Sequence, residues 1–417
     1  MPRTIAILGA GFGGLRAAML LGKAIRRHRI NGWRVALVDR NDFHTYAPLL
    51  YEVSASPEEV ASYYDLKTIV TFPLAKVLGE YAIERVRDTV SGLDLPNGQV
   101  ALASGKRLDY DYLIIALGAE TNYYGIPGLQ AGALGLKSFD DAVRIRDAIW
   151  LSSCTLNRLR IVIGGGGSTG VELAGELQPW LNAITREGHC RTGITLLHAG
   201  PTVLSGFSQR VVEKVADRLA QLKVKVLTDE RIVAIDSEAH MAHLESGMLI
   251  PFDVLIWTAG VKPNRILGSL PVRYAAGGRL AVAADLSVIA EGDTRLHGKV
   301  YGVGDAACAA VPEGGQAAPM TARSAISQAS VAARNVIADI RGEPGVAYTP
   351  RNYPYIIPVG GKYAVAKAGP FVIGGFSAWL FKGTVELGYL LAILPPIQAL
   401  RVWAKGIKLF TLNDRLG

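Results

Sequence analysis

Two stretches of this chain place three glycines where a backbone must turn sharply ahead of a helix. Gly9, Gly11 and Gly14 follow the apolar run Ile5-Ala6-Ile7-Leu8, and Gly165, Gly167 and Gly170 follow Ile161-Val162-Ile163, with Gly164 as an extra. In a Gly-x-Gly-x-x-Gly turn the first glycine permits the bend. The second lets the backbone approach a pyrophosphate, and the third lets helix and strand pack closely. The unpaired N–H groups and the positive helix end then face the phosphates. Asp39, 25 residues beyond Gly14, closes the next apolar run, where a carboxylate can accept both ribose hydroxyls of a dinucleotide. At the matching place in the second stretch, 28 residues beyond Gly170, stands His198. A neutral imidazole does not accept two hydroxyls as a carboxylate does, and it does not repel a 2′-phosphate. The plainer reading is a surface histidine at a strand end.

Three further positions invite chemistry. Glu172 lies two residues past the last glycine of the second turn, beside any ligand held there. Glu176, one helical turn on, reads equally well as an acid compensating the helix dipole. Asp305, in Val303-Gly304-Asp305-Ala306-Ala307-Cys308, is expected to end a strand and start a helix. There it acts either as an N-cap or as a partner for a polar cofactor chain. The three cysteines, Cys154, Cys190 and Cys308, form no CxxC or CxxxxC pair, so neither a redox dithiol nor a zinc ribbon is encoded. Cys308 reads as a small core residue.

The elements that must carry these residues repeat. A strand at 4–8, the turn, a helix at 13–30 and a strand at 34–39 make a βαβ opening. A strand at 159–163, the turn, a helix at 170–187 and a strand at 193–198 restart it. The stretches 110–118 (YDYLIIALG) and 252–260 (FDVLIWTAG) mirror each other. Residues 299–303 form a strand before an alanine-rich helix at 318–340. Two βαβ modules imply two parallel-sheet domains. In a doubly wound arrangement the strand at 299–303 returns to the first sheet, which makes the second domain an insertion.

Half of the 417 residues are hydrophobic and the net charge is +8. A basic excess suits an anionic membrane or anionic substrates. Without Lys/Arg runs interleaved with aromatics, nucleic acid ranks last. No secretory leader is expected ahead of the first strand, and no run of about 20 apolar residues suggests a spanning helix. Scattered thiols fit a reducing compartment. Residues 371–394 are dense in Gly, Phe, Trp and Leu, and Pro395-Pro396 ends any helix there. Over 397–410 the helical period puts Ile397, Leu400, Trp403, Ile407 and Phe410 on one side and Arg401, Lys405 and Lys408 on the other. With five basic and two acidic residues in 371–417, this tail reads as a helix lying in a membrane interface, and the bland alternative is a helix packed on the protein's own core.

Taken in order, ILGAGFGGL (7–15), RNDFHTYAPLLYEV (40–53), YDYLIIALGAETNYYGIPG (110–128), GGGGSTGVELAGEL (164–177), WTAGVKPN (257–264), VGDAACA (303–309) and the basic apolar tail span almost the whole chain. Together they resemble the two-dinucleotide-binding-domain flavoproteins, and among them the type II NADH dehydrogenases, single-chain NADH:quinone oxidoreductases. The resemblance implies an α/β, glutathione-reductase-like fold with two Rossmann-like domains. The FAD-binding domain would comprise 1–118 and 268–345 and the NAD(P)H-binding domain 119–267. Residues 346–417 would supply strands and membrane-docking helices. It implies FAD on Gly9, Gly11, Gly13, Gly14, Asp39, Arg40, Val86, Gly118 and Asp305. The nicotinamide nucleotide, NADH with NADPH as an alternative, would lie on Gly165, Gly167, Gly170, His198 and Gly260, with Glu172 catalytic beside the nicotinamide. Pro48, Arg323 and Ser327 would line the quinone pocket. Where family members often carry an AQxAxQ-like segment, this chain has Ala322-Arg323-Ser324-Ala325-Ile326-Ser327. Arg323 is read there either as a donor to a quinone carbonyl or as the mark of a different acceptor. The implied protein is a homodimer at the cytoplasmic face of an anionic membrane, and it does not pump protons. The rivals are a soluble NAD(P)H-dependent flavin reductase with another acceptor and a catalytically weak nucleotide sensor.

Overall fold

The computed structural model describes residues 3–27, 30–309, 317–351 and 353–413. It divides into two compact units. Met1–His44, Phe72–Glu120 and Val261–Asn352 form the first, and Thr45–Thr71, Thr121–Gly260 and Tyr353–Gly417 form the second. Relative to the sequence-based boundaries, residues 45–71 and the tail from 353 group with the second unit.

In chain order, the strands of the two main sheets are β1 (Arg3–Leu8), β2 (Trp33–Asp39), β3 (Ile83–Arg87), β4 (Tyr112–Ile115), β5 (Leu134–Gly135), β6 (Arg158–Gly164), β7 (Arg191–Leu197), β8 (Lys225–Leu227), β9 (Val254–Trp257) and β10 (Lys299–Gly302). The helices that matter below are α1 (Phe12–Arg26), α2 (Leu50–Ala55), α3 (Tyr63–Val70), α4 (Phe139–Thr155), α5 (Ser168–Arg186), α6 (Ala322–Ile340), α7 (Phe376–Ile393) and α8 (Pro396–Asn413).

The first unit's sheet runs β10-β4-β1-β2-β3, every pairing parallel. Its central strands are continuously apolar, as strands covered on both faces must be. Ile5, Ile7, Leu8, Leu113, Ile114 and Ile115 are all fully buried. β10 returns to this sheet beside β4 after the whole of the second sheet has been made, as the doubly wound arrangement requires. The second unit's sheet runs β5-β9-β6-β7-β8, again all parallel. Arg160 on β6 grips the Asp253 carboxylate ahead of β9 with two guanidinium bonds of 2.9 and 2.7 Å.

Several elements differ from the sequence reading. α1 stops at Arg26, and residues 28 and 29 of the expected helix lie outside the described residues. β4 and β9 occupy only the centres of 110–118 and 252–260. No helix starts at Asp305. A single 3-10 turn, Gly304–Ala306, leads into a short strand, Ala307–Ala309, which pairs with Leu280–Val282. The reason is a contact made across the fold: Gly304 takes φ +69, and its N–H donates to Gln328 Oε1 at 2.7 Å, so the chain turns back and α6 begins only at Ala322.

The tail forms an antiparallel sheet of Tyr355–Pro358, Ala364–Ala368 and Phe371–Gly375, then α7 and α8. The apolar side expected for α8 is split between a covered and an exposed part. Trp403 turns inward and donates Nε1–H to Gly383 O at 2.8 Å, Ile407 and Phe410 are half-buried, and Ile397 and Leu400 are exposed beside Arg401 and Lys408. Lys405 is tied to Asp65 on α3 at 2.8 Å. The period places residues on a helix correctly, but α7 and α3 decide which face is covered. Among the described residues no helix is long and apolar enough to cross a membrane.

Candidate active site

The two glycine turns share their backbone framework. Gly9 N–H donates to Val38 O and Gly165 N–H to Leu197 O, both at 2.8 Å. A Cβ on Gly14 would sit 1.7 Å from Gly9 O, and one on Gly170 would sit 1.9 Å from Gly165 O. No side chain larger than hydrogen fits either place. Gly9 (φ +95) and Gly165 (φ +119) also need the left-handed backbone, with Ala116 and Ala259 crowding them. Gly11 and Gly167, by contrast, face open space, with no atom within 4 Å of a Cβ built on them. Each is the N-cap of its helix, α1 or α5, and caps it with no side chain. An open, positive helix end that no side chain caps is what a pyrophosphate requires, so both turns fit a dinucleotide.

The middle residue of each turn is held by the end of the next strand. Ala10 N–H donates to Asp39 Oδ2 at 2.6 Å, while Oδ1 of the same carboxylate accepts from Asn41 N–H at 2.8 Å. Burial raises the Asp39 pKa against these bonds and the nearby charge of exposed Arg40. From the other side, His44 Nδ1 lies 2.8 Å from Ala10 O. Burial lowers the His44 pKa to about 4, so the ring is neutral and Nδ1 carries the hydrogen. In the second turn Gly166 N–H donates to His198 Nδ1 at 3.2 Å, and His198 Nε2 faces Ser205 Oγ at 3.0 Å. Burial lowers the His198 pKa, with Asp229 opposing.

The remaining predicted residues lie as follows. In the first unit, Gly13 packs against Val303, half-buried Val86 pairs with Val38, and Gly118 (φ +67) faces open space. Asp305 is half-buried in its 3-10 turn. Arg323 is exposed and Ser327 half-buried on α6. In the second unit, Pro48 is exposed in the 3-10 turn Ala47–Leu49. Gly260 (φ +79) leaves no room for a side chain, because a Cβ would meet Tyr124 Oη at 2.0 Å.

Glu172 and Glu176 both project from α5 into a cluster that sequence reasoning missed. Lys382 Nζ on α7 bonds Glu52 Oε1 on α2 at 2.5 Å and Glu386 Oε1 at 2.7 Å. Tyr51 O–H donates to Glu52 Oε1 at 2.9 Å. Glu176 and Glu52 line one small cavity with Trp379 and Phe410, and Glu386 lines another with Trp403 and Phe410. Two carboxylates therefore bond one ammonium, whose charge also reaches Glu172. Burial pushes the Glu172 pKa up to about 8, the charge of Lys382 opposing and that of Glu52 adding to the rise. Burial also raises the Glu386 pKa, again against Lys382. The Lys382 charge is opposed by burial but held by Glu386 and Glu52, which keep it protonated beyond the ordinary lysine range. At neutral pH this site thus holds a proton on Glu172 as well as one on Lys382. One signal was visible beforehand: Lys382 and Glu386 are the only charges in the apolar run 371–394. His44 and Gln328 gave none.

The profile of the pyridine nucleotide-disulphide oxidoreductases matches residues 3–329. The chain belongs to that family. Among curated proteins, this oxidoreductase is 29% identical to the demethylphylloquinone reductase NdbB of Synechocystis sp. over 82% of its own length and 81% of the relative's. It is 28% identical to the type II NADH:quinone oxidoreductase Ndh of Mycobacterium tuberculosis over 96% and 87%. Its fold is that of the NDH2 of Plasmodium falciparum solved in complex with NADH, with a TM-score of 0.82, 19% identity and 99% of both chains covered. The sulfide:quinone oxidoreductase of Aquifex aeolicus shares the fold at a TM-score of 0.75, with 18% identity over 97% and 92% of the two chains. In this pyridine nucleotide-disulphide oxidoreductase the three cysteines are free.

Proposed function

We propose that this chain is a flavoenzyme that oxidises NADH and reduces a quinone at a membrane surface without moving protons across it. The observation that carries the reading is the pair of matching turns, one per unit, each with an open glycine at a bare helix N-terminus. A protein that binds one dinucleotide needs one such turn. The relatives named type II NADH:quinone oxidoreductase, whose length the chain largely covers, support it.

Gly9, Gly11 and Gly14 with Asp39 would hold the FAD pyrophosphate and adenosine ribose, Gly118 and Asp305 lying in the same unit. Gly165, Gly167 and Gly170 would hold the pyrophosphate of NADH. FAD, when bound, supplies a two-electron carrier that separates hydride uptake from quinone reduction. Reducing a quinone to a quinol consumes two protons. The Glu172 carboxyl, pushed up to about 8 by burial, holds a proton it can release near neutral pH, and we assign it to the supply of one of the two, the other coming from solvent; Lys382, held by Glu52 and Glu386, keeps its own proton. Arg323, Ser327 and Pro48 remain the residues proposed for the quinone. Exposed Phe376, Leu380, Ile397 and Leu400, with Arg401 and Lys408 beside them, would rest on an anionic bilayer at its cytoplasmic face.

The test is a visible spectrum of the purified protein. Flavin absorption should bleach on anaerobic addition of NADH and return on addition of a short-chain quinone. In Glu172→Gln, bleaching should persist, while the pH dependence of quinone reduction should lose the inflection expected near about 8. A colourless protein that takes up no flavin, or a bleached flavin that no quinone reoxidises, would overturn the reading.

A further inference from the structure

The second turn differs from the first at one chemically decisive point. In both, the residue between the first two glycines gives its N–H to the side chain closing the following strand: Ala10 to Asp39 at 2.6 Å, Gly166 to His198 at 3.2 Å. Asp39 and His198 are therefore structural equivalents, and the second site has an imidazole where the first has an anion. The substitution is built in, because a Cβ at residue 166 would lie 2.9 Å from His198 Cβ and Cγ. The ring occupies space that Ala10 fills in the first turn, so the run of four glycines is the counterpart of the histidine. The ring is also fixed. Nδ1 accepts from Gly166, so Nε2 carries the hydrogen and donates it to Ser205 Oγ, whose own hydroxyl donates to Thr202 O at 3.0 Å.

In a βαβ nucleotide site, a carboxylate at this strand end accepts the adenosine 2′-hydroxyl and repels a 2′-phosphate. Resting on the reading that this turn binds the nicotinamide nucleotide, we infer that His198 makes the site indifferent to the 2′-phosphate, so that the enzyme accepts NADPH as well as NADH. Asp229, whose negative charge acts on the ring against its burial, would offset part of any attraction to the 2′-phosphate. Selectivity sits in the identity of residue 198.

Calorimetric titration of the flavin-loaded protein with NAD+ and NADP+, which cannot turn over, tests this without any acceptor. In the unmodified protein the two dissociation constants should agree within about tenfold. In His198→Glu the new carboxylate can still accept the Gly166 N–H, as Asp39 does from Ala10. Affinity for NADP+ should fall by at least about tenfold, since like charges in a binding site are strongly disfavoured, while NAD+ changes little. Ser205→Ala, which keeps the imidazole, should leave the ratio as it is. Exclusion of NADP+ by the unmodified protein, or a ratio unmoved in His198→Glu, would overturn the inference and leave the functional reading standing. Failure of both nucleotides to bind would overturn the two together.

Discussion

Ala10 has its N–H held by Asp39 and its carbonyl held by His44, so one residue of the first turn is fixed from both sides. The second bond depends on a neutral ring, and the pKa of His44 falls from its ordinary 6.5 to about 4 on burial. Between those values the unfolded chain takes up a proton that the folded chain refuses. Stability is therefore fully present above about pH 6.5 and is lost as the pH falls toward 4, by about 3 kcal/mol for this group alone. Urea unfolding at pH 7.5 and pH 5 should show a larger loss for the natural protein than for His44→Asn, and parallel losses would refute the assignment. Legibility at this scale followed chemistry of type. Gly9, Gly14, Gly165 and Gly170 could be read because their steric demand admits one residue only, and Asp39 because its position after the turn is fixed. His44 could not, because a histidine in a loop carries no mark of the carbonyl it will meet 34 residues away. His198 was legible as an oddity, but its bond to Gly166 was not.

Among the elements, α7 is the one whose faces are reversed. Ala378, Lys382, Glu386 and Leu390 recur every fourth residue on its covered side, while Phe376, Leu380 and Leu391 are exposed. Lys382 and Glu386 look, by spacing, like an ordinary surface pair worth a few tenths of a kcal/mol. With side chains only 13% and 12% exposed, and with Glu52 completing the contact, they are a buried ion pair instead. Lys382→Met should cost about 3–5 kcal/mol by leaving buried carboxylates without their cation. The loss should be larger at pH 8 than at pH 6, because those carboxylates would then have to shed protons in an apolar setting. Chemical denaturation at the two pH values checks it, and a variant as stable as the parent at both would refute it. Glu52 lies 330 residues from Lys382 in the chain, so no local pattern could announce the contact. The same limit explains α8, whose period was right and whose covered face was not, and Asp305, where Gln328 on α6 bends the chain that propensity would have continued as a helix.

At the level of the whole molecule, the sequence repeat proved informative because parallel sheets need near-continuous apolar strands, which leave a plain imprint. Which residues beyond the strands join each unit left no imprint, since residues 45–71 carry no sheet periodicity. The second unit exposes an apolar area in which Phe371 is 73%, Ile397 68% and Phe376 58% accessible. If this area meets lipid, Phe376→Ser with Leu380→Ser should abolish flotation with anionic vesicles and leave reduction of a short-chain quinone nearly unchanged. Co-flotation undiminished by the pair would remove the tail from that role. The Lys382 bonds bear on this in another way. A tether of flexible chain would let its cargo tumble above a bilayer, whereas α7 is bolted to α2 through Glu52 and cannot swing free. On any bilayer that the exposed area met, a helix fixed in this way would hand its orientation on to the whole second unit.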